Sequence, residues 1–248
     1  MTKSPKIPWP RILAEGVAIV VSILLAFGIE AWWSNREVRL NVQENLIALR
    51  DELGSNLREI EYELSYRHAV IASIEKLSSS DGSASSLTPE EIDKLIGDIT
   101  WYGRADVSMG ALESALQSDV FTEIEDRELQ RHIAALPTLY GHVEQFELRD
   151  TEFTLNRLYT YIYTNGSLNQ IFNSESSGRP GTGESSAGNQ FREFRVITER
   201  DHSQFLELDE FLGMLTTAHG SHSDIVMMYK RLQAKIEDTI ASIERKVP

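Results

Sequence analysis

The chain has 248 residues, 41% hydrophobic and 25% charged, with 24 Lys+Arg against 38 Asp+Glu and a net charge of −14. That length permits one or two domains with a sizeable core, and the hydrophobic share excludes a disordered chain. The absence of Cys excludes disulfides, zinc–thiolate sites and a cysteine nucleophile, and the acidic balance speaks against nucleic acid as a partner.

Residues 1–11 form a short tail carrying Lys3, Lys6 and Arg11. Residues 12–33 read as a transmembrane helix. Its uncharged centre runs from Gly16 to Ile29, bracketed by Glu15 and Glu30. Those carboxylates would lie roughly 22 Å apart along a helix, near the edges of a hydrocarbon layer. Trp9 on one side and Trp32 and Trp33 on the other occupy the positions of membrane-interface anchors. The excess of Lys and Arg before the span predicts a cytoplasmic N-terminus, with residues 34–248 outside the cytoplasm. The rival reading is a cleaved signal peptide, with Ala26-Phe27-Gly28 as a small-x-small site. Glu15 inside the apolar segment and a helical pattern that continues past Trp33 favour the uncleaved anchor. Ala14, Ala18, Ser22 and Ala26 fall on one face at spacing four, a pattern that lets membrane helices approach closely.

Residues 1–36 hold four basic and two acidic side chains, so the remainder holds 20 and 36, a net −16. Ser34 to Leu77 reads as one long helix. Its apolar positions are Val42, Leu46, Leu49, Leu53, Leu57, Ile60, Leu64, Ile71 and Ile74. Glu59, Glu61 and Glu63 read as solvated positions between them. Ser78 to Ser86 is a Ser-rich loop. Thr88 and Glu91 form a capping box around Pro89 and open a short helix that ends near Ile99. Trp101 to Asp119 is less regular, with a short helix from Met109 to Gln117.

A second long helix starts at Glu125-Asp126 and buries Leu129, Ile133, Leu136, Tyr140, Val143, Phe146, Phe153, Leu158 and Ile162, with a kink expected at Pro137. Residues 165–190 hold five Gly, six Ser and four Asn, which predicts a long flexible loop. Phe191, Phe194 and Val196 would form a short strand or pin the end of that loop. The last helix, Leu208 to Lys246, carries a heptad seam of Phe211, Leu215, Ala218, His222, Ile225, Tyr229, Leu232 and Ile236. The expected fold is all-α: one transmembrane helix continuing into an elongated antiparallel bundle of three long helices plus short ones. In that arrangement the second helix returns toward the membrane, loop 165–190 lies near the bilayer and the C-terminus lies far from it.

The order of features resembles a family of uncharacterised single-pass bacterial membrane proteins, a domain of unknown function. Its members show a span ending like Phe27 to Trp33 (FGIEAWW) and a charged helix like Glu44 to Leu57 (ENLIALRDELGSNL). A middle segment like Ala111 to Leu129 follows, and a stretch like Leu208 to Phe211 opens the last helix. Members often carry Gly where this chain has Asp119. The resemblance implies an inner-membrane location and no established activity, so no functional residues carry over.

Little in the sequence points to catalysis. Gly178 to Ser185 imitates a phosphate-binding loop, but Glu184 stands where the Lys belongs and would repel phosphate. Glu199 and His202 match Glu-x-x-His once only, where a di-iron bundle needs it twice. His219 and His222 could share a metal, but His222 falls on the seam, where a hydrogen-bonded core His is more usual. The candidate binding cluster is Trp101, Tyr102 and Arg104, with a capping aromatic over the distal end of the bundle as the alternative. The expected protein is non-enzymatic, with no cofactor and no metal. Its expected partners are the lipid bilayer and either a second copy of itself or another envelope protein. An extracytoplasmic ligand-binding sensor module is the alternative.

Overall fold

The computed structural model describes residues 9–79, 84–118, 120–174, 196 and 198–247, with residues 9–16, 18 and 85 described by their backbone alone. The described residues are helical or irregular and contain no strand. Helix α1 (Trp9–Leu77) has 69 residues and is about 100 Å long at 1.5 Å per residue. The chain passes from the apolar segment 12–33 into the bundle without a break, because no Pro or Gly pair interrupts the join. Every described side chain from Val17 to Asn41 is exposed, and burial begins only at Val42. Among the described residues no helix is long and apolar enough to cross a membrane. The side chains of residues 12–16 and 18, which belong to the apolar segment, lie outside them.

Helix α2 (Pro89–Thr100) starts at the expected capping box, with reciprocal bonds between Thr88 and Glu91. It packs on the distal end of α1. Residues 101–109 then run extended along α1 toward its middle. Helices α3 (Gly110–Gln117) and α4 (Val120–Glu123) continue that descent against α1. Helix α5 (Arg127–Phe153) runs unbroken through Pro137. A π-helical turn, Thr154–Leu158, joins it to α6 (Tyr159–Asn165). Helix α7 (Leu168–Ser174) follows, and a 3-10 turn at His202–Glu207 leads into α8 (Asp209–Glu244).

The direction of α5 reverses the expectation. Asn56 bonds Tyr140, and Arg67 bonds Asp150. Residue numbers rise together on both helices, so α1 and α5 are parallel. Helix α8 runs against both, as Tyr229–Glu147, Ser221–Asp150 and Lys246–Asp126 establish. The C-terminus therefore lies at the end of the bundle nearest the apolar segment of α1, and residues 165–174 lie at the opposite, distal end. The physical reason is the extended segment. Nine residues at about 3.3 Å each cover roughly 30 Å, enough with α3 and α4 to bring the chain back down before α5 begins.

A second correction concerns the loop predicted at 165–190. Its first part is α7, because Ile171 is fully buried and Leu168 packs on the same cluster. Residues 175–190, including the phosphate-loop imitation, lie outside the described residues, as do Phe191 and Phe194. Val196 is half-buried.

Two apolar clusters fill the bundle. The proximal one gathers Leu49, Leu53, Leu129, Ile133, Leu232 and Ile236, among others. The distal one gathers Ile74, Leu77, Ile96, Ile162, Phe205 and Phe211, among others. The three long seams close on one another, and a polar layer separates the two clusters.

Candidate functional site

That layer comes from the heptad seams themselves. On α1 the buried series is Leu46, Leu49, Leu53, Asn56, Ile60, Glu63, Arg67, Val70, Ile74 and Leu77, at alternating steps of three and four. Glu63 is 1% exposed, which corrects its reading as a solvated residue. On α5 the series Tyr140, Val143, Glu147 and Asp150 is buried, where Phe146 and Phe153 were expected. Helix α8 supplies His222 and Tyr229.

Arg67 is the hub. Its Nη1 donates to Asp150 Oδ2 and stands 2.9 Å from His222 Nδ1. Its Nη2 donates to the carbonyl of Gly103 at 2.7 Å, and its Cζ lies 5.0 Å from the centroid of the Tyr66 ring. Its Nε finds no hydrogen-bond acceptor among the described residues, with Glu63 Oε2 4.0 Å away. Guanidinium can only donate, so His222 Nδ1 accepts and the ring is held neutral. Burial pushes the His222 pKa down to about 4, with Asp150 opposing and Arg67 reinforcing that shift.

Residues 101–109 strap this layer. Their burial alternates residue by residue, Trp101, Gly103, Ala105, Val107 and Met109 inward and Tyr102, Arg104, Asp106 and Ser108 outward, the period of an extended chain. With no strand beside it, the strap's backbone is paired by side chains instead. Tyr66 donates to the Trp101 carbonyl and Arg67 to the Gly103 carbonyl. The Ala105 N–H donates to Glu147 Oε1 at 3.0 Å. Asn56 binds both the N–H and the carbonyl of Ser108, at 2.9 and 2.7 Å. Glu52 accepts from the Ala111 and Leu112 N–H groups at the start of α3.

Beside the strap lies a cavity of about 560 Å³. The strap from Arg104 to Met109 forms one wall, α5 from Pro137 to Glu147 another, and Tyr229 and Leu232 of α8 a third. Glu147 is its most buried carboxyl group, at 4% exposure. Its Oε1 accepts from both Ala105 N–H and the Tyr229 hydroxyl. Burial raises its carboxyl above the usual range, against the lowering effect of those two donors and of Arg67. Burial and the neighbouring Glu147 also hold the Tyr229 phenol firmly protonated.

A second buried histidine sits at the distal end. His202 Nδ1 is 2.5 Å from Asp93 Oδ1, and its Nε2 accepts the Ser167 N–H at 3.0 Å. The proton is therefore on Nδ1. Gln170 donates to Asp93 Oδ2 at 2.7 Å and completes the set. This is a structural tie between α2, α7 and the turn before α8.

The predicted cluster of Trp101, Tyr102 and Arg104 is split between two faces. Trp101 packs on the distal core, and Tyr102 stacks edge-on against Tyr159 at 6.3 Å. Arg104 alone lines the cavity. The aromatics do not cap the end of the bundle, because the strap runs along its middle. His219 is half-buried and 3.5 Å from Glu75, whereas His222 is fully buried, so the two do not share a site. Among the described residues no three His, Cys, Asp or Glu are grouped to hold a metal ion. Trp32 and Trp33 meet edge-to-face at 6.2 Å and are exposed, as are Ser22 and Ala26. The side chains of Trp9, Ala14 and Ala18 lie outside the described residues.

The strap and the polar layer both leave a signal in the sequence. Trp101 to Met109 alternates apolar and polar residues without error, and the strict heptad on α1 passes through Asn56, Glu63 and Arg67. Compared with protein-family models, curated proteins and solved structures, the chain matches none of them.

Proposed function

We propose that the chain is a membrane-anchored, non-enzymatic helical-bundle protein whose exposed domain binds another envelope protein or a second copy of itself. One observation carries this reading. From Val17 to Trp33 the large apolar side chains of α1, on all its faces, are between 48 and 65% exposed. From Val42 on, most large apolar residues are buried and the exposed ones, such as Leu148, Tyr163 and Leu208, stand singly. Such a shaft is costly in water, and a bilayer covers it on every side. The interface tryptophans and the resemblance of Phe27 to Trp33 to single-pass inner-membrane proteins support the same location. The charge bias of residues 1–11 supports a cytoplasmic N-terminus. Alkaline carbonate extraction of membranes bearing the full chain tests the anchor: the protein stays in the pellet, and release into the supernatant overturns it. Crosslinking in those membranes tests the interaction role: a dimer or a hetero-complex is expected, and recovery of the lone monomer counts against it.

The second reading, a ligand-binding sensor module, is favoured by the cavity beside the strap. Its wall is an extended segment held by side chains rather than by a sheet. A ligand in the cavity would touch the same segment that ties α1 to α5.

A further inference from the structure

The cavity beside the strap combines size, apolar walls and an excess of negative charge. Its volume of about 560 Å³ falls in the range of small-molecule sites, roughly 300–1,000 Å³. Val107, Met109, Pro137, Tyr140, Val143 and Leu232 give it a hydrocarbon lining. Its charged residues are Asp106, Glu144 and Glu147 against Arg104.

Glu147 is the group that selects a ligand. Both of its hydrogen bonds go to Oε1, and Oε2 accepts none among the described residues. Among the described residues, Glu147 and Asp150 are two carboxyls beside one guanidinium, that of Arg67, while the bond from Arg67 holds His222 neutral. A buried carboxylate without full compensation is costly, and an incoming cation relieves that cost. The apolar walls and the absence of a three-residue metal-ligand group among the described residues suit an organic cation rather than a hard metal ion, which needs a shell of oxygens.

We infer that this cavity binds a small organic cation with an apolar body, an alkyl- or arylammonium compound, whose N–H groups donate to Glu147 Oε2. The inference deepens the ligand-binding reading and is independent of the membrane anchor, since carbonate extraction and ligand binding can fail separately.

The test uses the full chain purified in detergent and titration calorimetry near neutral pH. The probes are phenethylammonium and phenylacetate, similar in shape and opposite in charge. Phenethylammonium binds saturably and phenylacetate does not. Glu147→Gln weakens phenethylammonium binding by at least about tenfold. Gly141→Leu is a second variant: Gly141 lines the cavity, and a Cβ there meets nothing within 4 Å. Its side chain fills the space, so binding is lost while the thermal transition remains. Three results overturn the inference: no saturable phenethylammonium binding up to about 10 mM, equal binding of both probes, or unchanged affinity in Gly141→Leu. If Glu147→Gln fails to fold, the two probes on the native chain and Gly141→Leu still decide. A neutral or anionic metabolite that binds with no change in Glu147→Gln would preserve a ligand site and also overturn the cation.

Discussion

Arg67 Nη1 stands 2.9 Å from His222 Nδ1, and this contact joins the first helix to the last across the centre of the bundle. It also fixes the charge of the histidine. A guanidinium offers only protons, so the imidazole nitrogen facing it must accept. The same guanidinium donates to Asp150 and to the Gly103 carbonyl. One side chain thus ties α1, α5, α8 and the strap together.

Stability should fall as the medium is acidified through the range of His222. Its folded pKa of about 4 lies below the unfolded 6.5, so between those values the unfolded chain binds the extra proton. The contribution is complete above pH 6.5 and is lost as pH falls toward 4, up to about 3 kcal/mol. Glu147 acts with the opposite sign. Its pKa is raised, so its term is present below 4.5 and fades as pH rises through the folded value. Denaturant titrations of wild type and His222→Gln across this range separate the two. The variant should lose most of the wild type's rise in stability between pH 4 and 6.5, and parallel pH profiles would refute the assignment.

Removing the hub should cost more than removing a surface charge. Arg67→Met leaves Asp150 without its cation and the Gly103 carbonyl without its donor. A loss of about 3–5 kcal/mol is expected. Arg67→Lys should recover only part of it, because an ammonium lacks the planar fork that reaches Asp150 and Gly103 together. Urea unfolding measures both, and a cost below about 1 kcal/mol for Arg67→Met would place the pair outside the core of the fold.

The strap should be released by one substitution on α1. Asn56 holds the N–H and the carbonyl of Ser108 and also donates to the Tyr140 hydroxyl at 2.9 Å. Asn56→Ala leaves these groups to water, at about 1–3 kcal/mol. Arg104 is exposed in the strap, so limited trypsin digestion should cleave after it faster in the variant than in wild type. Equal rates would mean that the other ties hold the strap without Asn56.

Two glycines should respond to alanine with opposite signs. At Gly166 a Cβ would meet His202 Nε2 at 2.9 Å and the Phe205 ring at 3.0 Å. Gly166→Ala should therefore destabilise by about 1–3 kcal/mol. The cause is space, since the backbone there has φ −123, open to any residue. At Gly54, inside α1, a Cβ meets nothing within 4 Å, and Gly54→Ala should stabilise by up to about 1 kcal/mol. Thermal melts of the two variants check the pair.

Much of the helical content was legible because it is written locally. The capping box at Thr88 and Glu91, the short helix ending at Gln117 and the heptad of α8 each rest on neighbours a turn or two away. The polar layer was missed for a specific reason. An apolar seam on α1 through Leu57 and Ile71 satisfies the hydrophobic pattern, but these are only partly buried, and the alternating three-four step leads through Asn56, Glu63, Arg67 and Val70. The same preference put Phe146 and Phe153 where the structure buries Glu147 and Asp150. A buried charge is expensive alone and tolerable only beside its partner. Here the partners lie more than 80 residues away on α5 and α8, so no local window contains the compensation.

By itself the sequence determined that the chain is helical and where its apolar shaft gives way to an acidic domain. It also determined which face of α8 turns inward. These follow from periodicity and charge, which need no partner. Only the tertiary structure decided that α1 and α5 run parallel, because that depends on nine residues crossing the bundle as an extended strap. Its backbone is satisfied by Tyr66, Arg67, Glu147 and Asn56, side chains brought together from two helices, and their meeting also leaves the cavity around Glu147.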